Sequence, residues 1–497
     1  MTTMRPPPPS MENFKTLKGE LEAHDQDHTL ACWESLDEAS RSELLENLQS
    51  INFDYTKRVY ENSTNQAPSA TPVPFNDVCR IADTTRVQRA EWHNKGLELI
   101  AANKVGIILM SGGQGTRLGS DLPKGCYDIL LPSHKSLFQI QGERIQTLKK
   151  LAASHAGVDP ANISIPWYIM TSEFTLEETE AHFQQHKYFG MPSEDVYFFN
   201  QGTMPCTDLN GKLIMETTSR VARAPDGNGG LYNALATSGC LNDMEARDLE
   251  ALDCYCVDNA IVRPGDPLFM GYCHSQGAEC GARTTPKAYP AERVGVFSKT
   301  AEGRVKVVEY SELDPALAAG SDDKGNLLFN WSNICMHYFT PTFLRLVVHE
   351  ILHGNAMPFH VAKKSIPSVT GPVPGIKYEL FIFDSFPLTR KPALMEVVRE
   401  QEFAPVKNAP GAAPQDTPET ARALMFNLHK TWIEAAGGTI QGNIEGENGV
   451  EVSSMASYAG EGLEDLVEGK TFTPPCVINA PEVPTPPEES VLDSWCT

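Results

Sequence analysis

A glycine-rich segment directly after an apolar run carries the strongest chemical signal in the sequence. The run ends at Met110, and the segment reads Ser111-Gly112-Gly113-Gln114-Gly115-Thr116-Arg117-Leu118-Gly119, with Pro123-Lys124-Gly125 shortly after it. Glycines let the backbone turn tightly and bring its amide groups close to an anion. Arg117 and Lys124 can add charge-assisted hydrogen bonds to phosphate oxygens. The segment therefore predicts a phosphate-binding loop that supplies its own counter-charges.

Two familiar glycine motifs can be compared with this segment by their spacing. The dinucleotide fingerprint Gly-x-Gly-x-x-Gly, started at Gly113, would need a third glycine where Leu118 stands. The P-loop ends in Gly-Lys-Ser/Thr, whereas Gly115 is followed by Thr116 and Arg117. Neither motif fits, so the segment indicates a different class of phosphate site.

Two shorter clusters have side chains suited to reading a nucleoside. Asn200-Gln201-Gly202 follows an apolar run, and the Gln201 amide has both the donors and the acceptors that a nucleobase edge requires. A second glycine loop, 224–230, leads into a predicted helix whose N-terminus suits an anion or a sugar hydroxyl. Alone, a glutamine at a strand end is more often merely solvated, and an isolated glycine loop is more often an ordinary turn.

Asp258 is the candidate metal ligand. It follows the apolar run Leu252–Val257, and Mg²⁺ binds proteins through one or two carboxylates while substrate phosphates and water supply its other ligands. We therefore expect Mg²⁺ there, with Mn²⁺ as a substitute; the alternative is a carboxylate that caps the next turn. The histidines show no metal-ligand spacing, and no Gly-x-Ser-x-Gly elbow occurs.

Alternating strands and helices would position these residues. The predicted strands are Val105–Met110, Trp167–Met170, Val196–Phe199 and Leu252–Val257, and Thr175-x-x-Glu178 reads as a capping box that opens a helix. Such alternation favours βαβ units and a mainly parallel sheet. Ligands of these sheets bind beyond the carboxyl ends of the strands, where all the clusters above are expected.

The two ends of the chain differ from this centre. Helical spacing after Ser35-x-x-Glu38, read as a capping box, predicts a helical domain over 1–103, with a loop from Glu61 to Pro74. The catalytic domain is predicted over 104–400. Ala404 to Pro418 is read as a linker or long loop, and Thr417 as the cap of a helix reaching Ala436. A small β-like C-terminal domain, 401–497, with a Pro/Glu-rich tail completes the organisation.

The aromatic run 378–386 is read as core packing, with one or two rings able to line a pocket.

Composition limits the class of partner. Lys plus Arg number 41 against 64 Asp plus Glu, a formal net charge of −23, so binding to nucleic acid or an anionic membrane is not expected. Twelve dispersed cysteines without a Cys-x-x-Cys pair indicate free thiols in a reducing compartment. The N-terminus lacks the apolar core of a secretory signal, and no run of ~18 apolar residues occurs. We expect a cytoplasmic protein, with a monomer favoured over an oligomer.

Taken together, these segments resemble the eukaryotic UDP-N-acetylglucosamine pyrophosphorylases, nucleotidyltransferases with a Rossmann-like α/β core. Relatives specific for glucose usually differ where Gln114 and Arg117 stand. One departure is Met336, where Asn is expected before His337, which puts the local packing in doubt. The likeness covers most of the chain and includes the glycine-rich segment, 200–203, 225–230, 257–259, 308–312, 375–377, 405–409 and 457–464.

The resemblance implies the fold and the reaction. The fold is an α/β, Rossmann-like nucleotidyltransferase core with a mixed, mainly parallel sheet, a helical N-terminal domain and a small C-terminal domain. The reaction converts UTP and N-acetylglucosamine 1-phosphate into UDP-N-acetylglucosamine and pyrophosphate, by attack of the sugar phosphate on the α-phosphorus of UTP. It also implies a place in hexosamine metabolism, as a source of precursor for cell-wall chitin.

The resemblance further implies a role for each site residue. Arg117 and Lys124 are the catalytic cations, and Asp258 is the Mg²⁺ ligand. The nucleotide would be bound by Gly112, Gly113, Lys124, Gln201, Gly227, Asp258 and Lys377. The sugar phosphate would be bound by Asn228, Gly295, Glu309, Tyr310, Asn333, Phe383 and Lys407.

Two other functions stay open on the sequence. The first is a related enzyme that accepts galactosamine or glucose phosphates, which only a substrate panel can separate. The second is a non-catalytic nucleotide-sugar sensor, which would bind UTP without releasing pyrophosphate. The presence of Arg117, Lys124 and Asp258 together favours an enzyme, because in-line phosphoryl transfer depends on positioning and charge neutralisation.

Overall fold

A computed structural model describes residues 11–64, 71–354 and 357–481. The proline tract near the N-terminus, part of the predicted loop Glu61–Pro74 and the Pro/Glu-rich tail lie outside these residues. Within them no helix is both long enough and apolar enough to cross a membrane. The eleven cysteines described there are free thiols, as the sequence predicts.

The described residues form eighteen strands, and three of the four predicted ones begin at the residue expected. The fourth, predicted over Leu252–Val257, begins and ends one residue earlier. In chain order the strands are β1 Val73–Pro74, β2 Val105–Met110, β3 Trp167–Thr171, β4 Val196–Asn200, β5 Thr203–Pro205, β6 Arg223–Pro225, β7 Ala251–Cys256, β8 Cys280–Pro286, β9 Val296–Lys299, β10 Val305–Val308, β11 Trp331–Phe339, β12 His360–Ile366, β13 Val373–Glu379, β14 Pro392–Glu396, β15 Thr439–Ile440, β16 Val450–Val452, β17 Thr471–Phe472 and β18 Cys476–Ile478.

Ten of these strands form one mixed sheet, in the order β1-β9-β11-β7-β2-β3-β4, with β10 beside β9 and with β8 between β11 and β14. The neighbours β7, β2, β3 and β4 are parallel to one another, whereas β11 runs antiparallel to β7. The carboxyl ends of these four parallel strands therefore meet at one edge. The glycine-rich segment, Gln201 and Asp258 follow β2, β4 and β7 at that edge.

In the part of the chain that the structure describes, fourteen α-helices accompany the strands. They are α1 Met11–Ala23, α2 Glu38–Gln49, α3 Phe53–Thr64, α4 Arg86–Ala101, α5 Leu137–Ala156, α6 Leu176–Gln185, α7 Leu231–Thr237, α8 Cys240–Ala246, α9 Pro267–Ser275, α10 Pro315–Ala318, α11 Pro341–His353, α12 Arg399–Glu402, α13 Pro418–Ala435 and α14 Glu464–Val467. Shorter 3₁₀ turns include Gly115–Leu118, Lys124–Cys126, Asn228–Gly230 and Ile382–Leu388.

Helices cover both faces of the central sheet, which explains the unbroken apolar run of β2. Ile107 and Leu109 pack with α4, α5 and α9 on one face. Ile108 and Met110 pack with α7, α8 and α11 on the other. Successive side chains of a strand point to opposite faces, so a parallel strand covered on both sides reads as continuously apolar.

Two predicted capping boxes are wrong, and one cap is confirmed. Helix α2 is capped by Asp37, whose carboxylate accepts from the Ser40 N–H, because Ser35 ends the preceding 3₁₀ turn. Thr175 precedes α6 as predicted, but its hydroxyl accepts from the Ser172 N–H and caps no helix amide. Thr417 caps α13, which ends at Ala435.

The segment Ala404–Pro418, predicted as a linker or long loop, is a loop whose first residues are packed into the core. Ala404 and Val406 are fully buried, and they pack with Ala260 and Ile261 against α13. The backbone oxygen of Asp258 accepts a hydrogen bond from the Val406 N–H at 2.8 Å. This stretch is therefore part of the floor beneath the carboxyl edge of the sheet.

Candidate active site

The glycine-rich segment folds back on itself directly after β2. Gly115 N–H donates to the Leu122 carbonyl at 3.0 Å, and Lys124 N–H donates to the Gly113 carbonyl at 3.3 Å. Arg117 lies on the Gly115–Leu118 turn and is exposed, while Lys124 is half-buried. A Cβ added at Gly113 would meet nothing within 4 Å. The loop therefore leaves open space above its backbone, with two cations on the same segment.

Gln201 faces this loop from the end of β4. The Gln201 side-chain oxygen lies 3.1 Å from the place a Cβ on Gly112 would occupy, so glycine there keeps the oxygen accessible. The Gln201 Nε2 donates to the Gly227 carbonyl at 2.7 Å. Gly112, Gln201 and Gly227, predicted from three separate segments, are thus brought together.

Gly227 and Asn228 are fixed against the segment that follows β13. Gly227 has φ +84°, and a Cβ there would lie 2.3 Å from the Leu380 carbonyl oxygen. Asn228 Oδ1 accepts from the Ile382 N–H at 3.0 Å. Phe383, next in the chain, is buried, and its ring lies 5.2 Å from that of Phe381. The aromatic run therefore packs into the core, as predicted, beside the residues predicted to meet the sugar.

Four of the predicted sugar-binding residues lie together in a second group. Asn333 N–H donates to the Gly295 carbonyl at 2.8 Å, and a Cβ at Gly295 would lie 3.2 Å from a Glu309 carboxylate oxygen. The Tyr310 N–H hydrogen-bonds the Glu309 carboxylate, while the Tyr310 side chain is half-exposed. The pKa of Glu309 is raised, and burial of its carboxylate is the largest cause. These four predicted residues therefore form one contiguous patch.

Asp258 and Lys407 lie at the surface of the floor described above, where Asp258 is partly exposed and Lys407 is exposed. Burial alone would lower the pKa of Lys407, but the carboxylates of Asp258 and Asp416 outweigh it and hold that pKa above its ordinary value. The Lys407 ammonium also lies 5.7 Å from the centre of the Phe403 ring. Lys407 therefore stays charged beside the predicted metal ligand.

The surroundings of Asp258 fit a magnesium ion that arrives with a phosphate ligand. The residue is partly exposed at the sheet edge, and among the described residues no group of three or more His, Cys, Asp or Glu side chains could hold a metal. A single accessible carboxylate is the donor set Mg²⁺ uses when phosphates and water complete its shell.

The remaining predicted residue, Lys377, lies on β13. The neighbouring Ile376 is paired with Thr207, and Glu379, two residues on, lies beside Gly227. Lys377 is half-buried. It therefore approaches the nucleotide side of the edge on a hairpin formed by β12 and β13.

Met336, the departure from the expected pattern, is accommodated in the core. It is 1% exposed, and the Asn259 Nδ2 lies 3.5 Å from its sulfur. The same amide donates to the Glu402 carbonyl, and the Ala404 N–H donates to Asn259 Oδ1. The methionine therefore packs beneath the turn that carries Asp258.

Sequence reasoning missed two sets of polar residues at this edge. Asp226 lies beside the Gln201 amide, but an Asp before a glycine is a common turn residue and gave no separate signal. His360 contacts Asp384 at 2.9 Å and Glu312 at 3.3 Å, and its ring lies 4.3 Å from that of Phe381. These partners are far apart in the chain, so spacing could not reveal the cluster.

A glycine loop after β2, an amide after β4 and a carboxylate after β7, all at one edge of the sheet, are arranged as the active site of an α/β nucleotidyltransferase requires. The family model described as UTP–glucose-1-phosphate uridylyltransferase matches residues 52–443. The chain belongs to that family, and within it to the eukaryotic UDP-N-acetylglucosamine pyrophosphorylases, as the resemblance indicated.

Relatives of known name support this membership. The chain is 44% identical to UDP-N-acetylglucosamine diphosphorylase 2 of Arabidopsis thaliana, over 96% of this chain and 97% of that protein. It is 39% identical to UDP-N-acetylglucosamine pyrophosphorylase of Saccharomyces cerevisiae, over 88% and 94%. A human protein named UDP-N-acetylhexosamine pyrophosphorylase-like protein 1 is 38% identical, over 96% and 99%.

Solved structures agree with the fold. The UDP-N-acetylglucosamine pyrophosphorylase of Trypanosoma brucei, solved with an inhibitor, has a TM-score of 0.80 at 30% identity, over 92% of this chain and 95% of that one. A protein from Entamoeba histolytica, described as a UDP-N-acetylglucosamine pyrophosphorylase, has a TM-score of 0.73 at 32% identity, over 82% and 100%. The predicted α/β nucleotidyltransferase fold is confirmed.

Proposed function

We propose that the protein transfers the uridylyl group of UTP to N-acetylglucosamine 1-phosphate, releasing pyrophosphate. The observation that carries the proposal is the fixed Gln201 amide facing Gly112, because it places a base-reading group directly opposite a phosphate-binding loop. The two relatives named for this nucleotide sugar support the choice of substrates. The human relative named for N-acetylhexosamines keeps a galactosamine substrate as the second candidate.

The reaction is an in-line displacement. An oxygen of the sugar phosphate forms a bond to the α-phosphorus of UTP, the bond from that phosphorus to the bridging oxygen breaks, and pyrophosphate leaves with the electron pair. A phosphate monoester has its second pKa near 6, so the attacking group is already ionised at neutral pH and needs no general base. The protein has to position the two phosphates and neutralise their charge.

Each predicted residue has a task in this displacement. Gln201 and Gly227 hold the base, and the amides at Gly112 and Gly113 receive phosphate oxygens. Arg117 and Lys124 stabilise charge on the leaving pyrophosphate, and Lys377 adds a cation on the nucleotide side. Lys407 holds the sugar phosphate next to Asp258. A magnesium ion on Asp258 supplies further charge neutralisation when bound, and Mn²⁺ has the same preference for oxygen ligands.

The sugar would occupy the patch on the other side of Asp258. Asn228 and Phe383 border it from the base side, and Gly295, Glu309, Tyr310 and Asn333 border it from β9, β10 and β11. Cys335 connects the two regions, since its N–H donates to Asn333 Oδ1 and its thiol contacts that of Cys256. The arrangement supports a bound sugar between the aromatic run and the metal ligand.

The test is pyrophosphate release by the purified chain with UTP and Mg²⁺. We expect release with N-acetylglucosamine 1-phosphate, less with the N-acetylgalactosamine analogue and least with glucose 1-phosphate. A chelator should abolish it, and added Mn²⁺ should restore part. Binding of UTP without release from any sugar phosphate would instead identify a nucleotide-sugar sensor.

We further propose that the enzyme is a cytosolic monomer that acts on small molecules. Its product would supply activated sugar for polymers such as chitin.

A further inference from the structure

Asp226 is a buried carboxylate that the reaction itself does not use. It is 5% exposed and lies directly behind the Gln201 amide, with its Oδ1 3.4 Å from Gln201 Nε2. The surrounding backbone is shaped around it. A Cβ at Gly202 would lie 2.6 Å from Asp226 Oδ2, and one at Gly230 would lie 1.8 Å from Oδ1. Two glycines therefore make the room that this side chain occupies.

The chemistry of its neighbours fixes the direction of the Gln201 amide. An ionised carboxylate and a backbone carbonyl both accept hydrogen bonds and donate none. Gln201 Nε2 must therefore face Asp226 and the Gly227 carbonyl, the latter at 2.7 Å. The Gln201 oxygen is left as a free acceptor on the side of Gly112.

We infer that Asp226 is a positioning residue that sets the choice of pyrimidine base by holding Gln201 with its oxygen outward. Uracil carries an N3–H donor that this oxygen accepts, whereas cytosine has an unprotonated N3 that accepts. A reversed amide would present Nε2 and suit cytosine. The inference rests on the proposed function, since it concerns which nucleoside triphosphate that reaction uses.

The environment of Asp226 makes the orientation of the Gln201 amide sensitive to protonation of the Asp226 carboxylate. Burial raises the pKa of Asp226 to about 6, against the opposing effect of the Gln201 hydrogen bond. Asp226 lines a cavity of about 240 Å³ together with Tyr55 of α3, Asn233 of α7 and Arg223 of β6. On its other side, Leu380 N–H donates to the Asp226 backbone oxygen, and Glu379 precedes it. A protonated Asp226 can donate to the Gln201 oxygen, so that only the Gly227 carbonyl then opposes the reversed amide.

The test is the ratio of kcat/KM for UTP to that for CTP, with N-acetylglucosamine 1-phosphate as acceptor. In Asp226→Asn the new amide can donate to Gln201, so we expect the ratio to fall about threefold to tenfold, the range of one neutral hydrogen bond. The change should come mainly from a higher KM for UTP, with kcat nearly retained. An unchanged ratio in the folded, active variant would overturn the inference.

A matched control separates base choice from stability. Asp195 is 6% exposed and forms an ion pair with Arg247. It precedes β4, at the end of that strand opposite Gln201. Asp195→Asn should lower stability and leave the UTP to CTP ratio unchanged. A wild-type protein inactive with UTP would contradict the proposed function, whereas an active protein with an insensitive ratio contradicts only the inference about Asp226.

A measurement on the wild-type protein needs no variant to fold. The UTP to CTP ratio should fall as the pH is lowered through about 6, and the decline should vanish in Asp226→Asn. Because the phosphates of UTP and CTP titrate alike, the ratio isolates the base. A wild-type ratio that is constant between pH 8 and pH 5.5 would also overturn the inference.

Discussion

The regions proposed to bind the base and the phosphates are built in opposite ways. Gln201 and Asn228 are each held by hydrogen bonds to neighbouring backbone or buried side chains. In contrast, the side chains of Arg117, Lys124 and Lys377 make no hydrogen bond or ion pair within the described ranges. Fixed neutral groups suit a base whose edge must be matched. Unpaired cations suit phosphates, because no existing ion pair has to be broken when the ligand arrives.

Lys407 differs from the other three cations. The carboxylates of Asp258 and Asp416 raise its pKa, and its ammonium lies 5.7 Å from the centre of the Phe403 ring. The nucleotide phosphates would therefore meet cations without an ion pair, and the sugar phosphate would meet a cation whose charge two carboxylates favour.

The largest expected effect comes from removing a free cation. Arg117→Ala or Lys124→Ala should lower kcat by about a hundredfold or more, as does loss of one preorganised donor to a developing charge in other enzymes. Pyrophosphate release at saturating substrate measures the change. The variants should unfold at nearly the same temperature as the wild type, because neither side chain makes a hydrogen bond or ion pair within the described ranges.

The matched control is Lys150→Ala, which removes one exposed lysine of α5 away from the sheet edge. It should retain wild-type turnover, so a general effect of net charge can be separated from a local one. Near-wild-type rates in purified Arg117→Ala and Lys124→Ala would remove both residues from the catalytic assignment.

The same contrast explains which parts of the molecule the sequence could predict. The β2 strand and the glycine loop were accessible because their signals are local: a continuous apolar run, then glycines with two cations. Asp226 was not, since its role depends on Gln201, 25 residues away, across a turn. Ala404 and Val406 looked like linker residues by composition, and only their packing under the Asp258 turn shows that they are core.

A substitution on the fixed side of the site should act through the backbone. Gly227→Ala places a Cβ at φ +84° and 2.3 Å from the Leu380 carbonyl oxygen, which cannot move without shifting the main chain. We expect a loss of about 2–4 kcal/mol in the free energy of unfolding, from left-handed strain plus overpacking. The KM for UTP should rise as the Gly227 carbonyl moves away from Gln201. Urea unfolding and steady-state kinetics measure the two effects.

Two further glycines make this prediction sharper. Gly19→Ala, in the interior of α1 with no atom near the added Cβ, should be neutral or stabilising by up to about 1 kcal/mol. Gly113→Ala, also without neighbours, should leave stability unchanged but raise the KM for UTP. A stable Gly227→Ala variant with an unaltered KM would contradict the view that this region is rigidly preformed.

The smallest expected effect is a change in stability from the contact between two regions. These are the β12–β13 hairpin, which carries Lys377, and the predicted sugar-binding patch around Glu309. His360 of β12 bridges Asp384 and Glu312, and Glu309 lies close enough for its own pKa to respond to His360. Burial disfavours a charged imidazole, but the hydrogen bonds to Asp384 and Glu312 outweigh it and raise the pKa of His360 to about 10.

The sign of the pH dependence follows from that direction. A raised pKa in the folded state stabilises the fold fully below the ordinary histidine value, near 6.5, and the contribution disappears as the pH rises through about 10. His360→Gln keeps a neutral hydrogen bond, so it should cost about 1 kcal/mol at pH 6.5. The difference from the wild type should shrink toward zero near pH 10, as measured by urea unfolding at each pH. His349→Gln, at a side chain 66% exposed, should show no difference at either pH. A His360→Gln penalty that is independent of pH would mean that the imidazole contributes packing alone and that its ion pairs with Asp384 and Glu312 add nothing to stability.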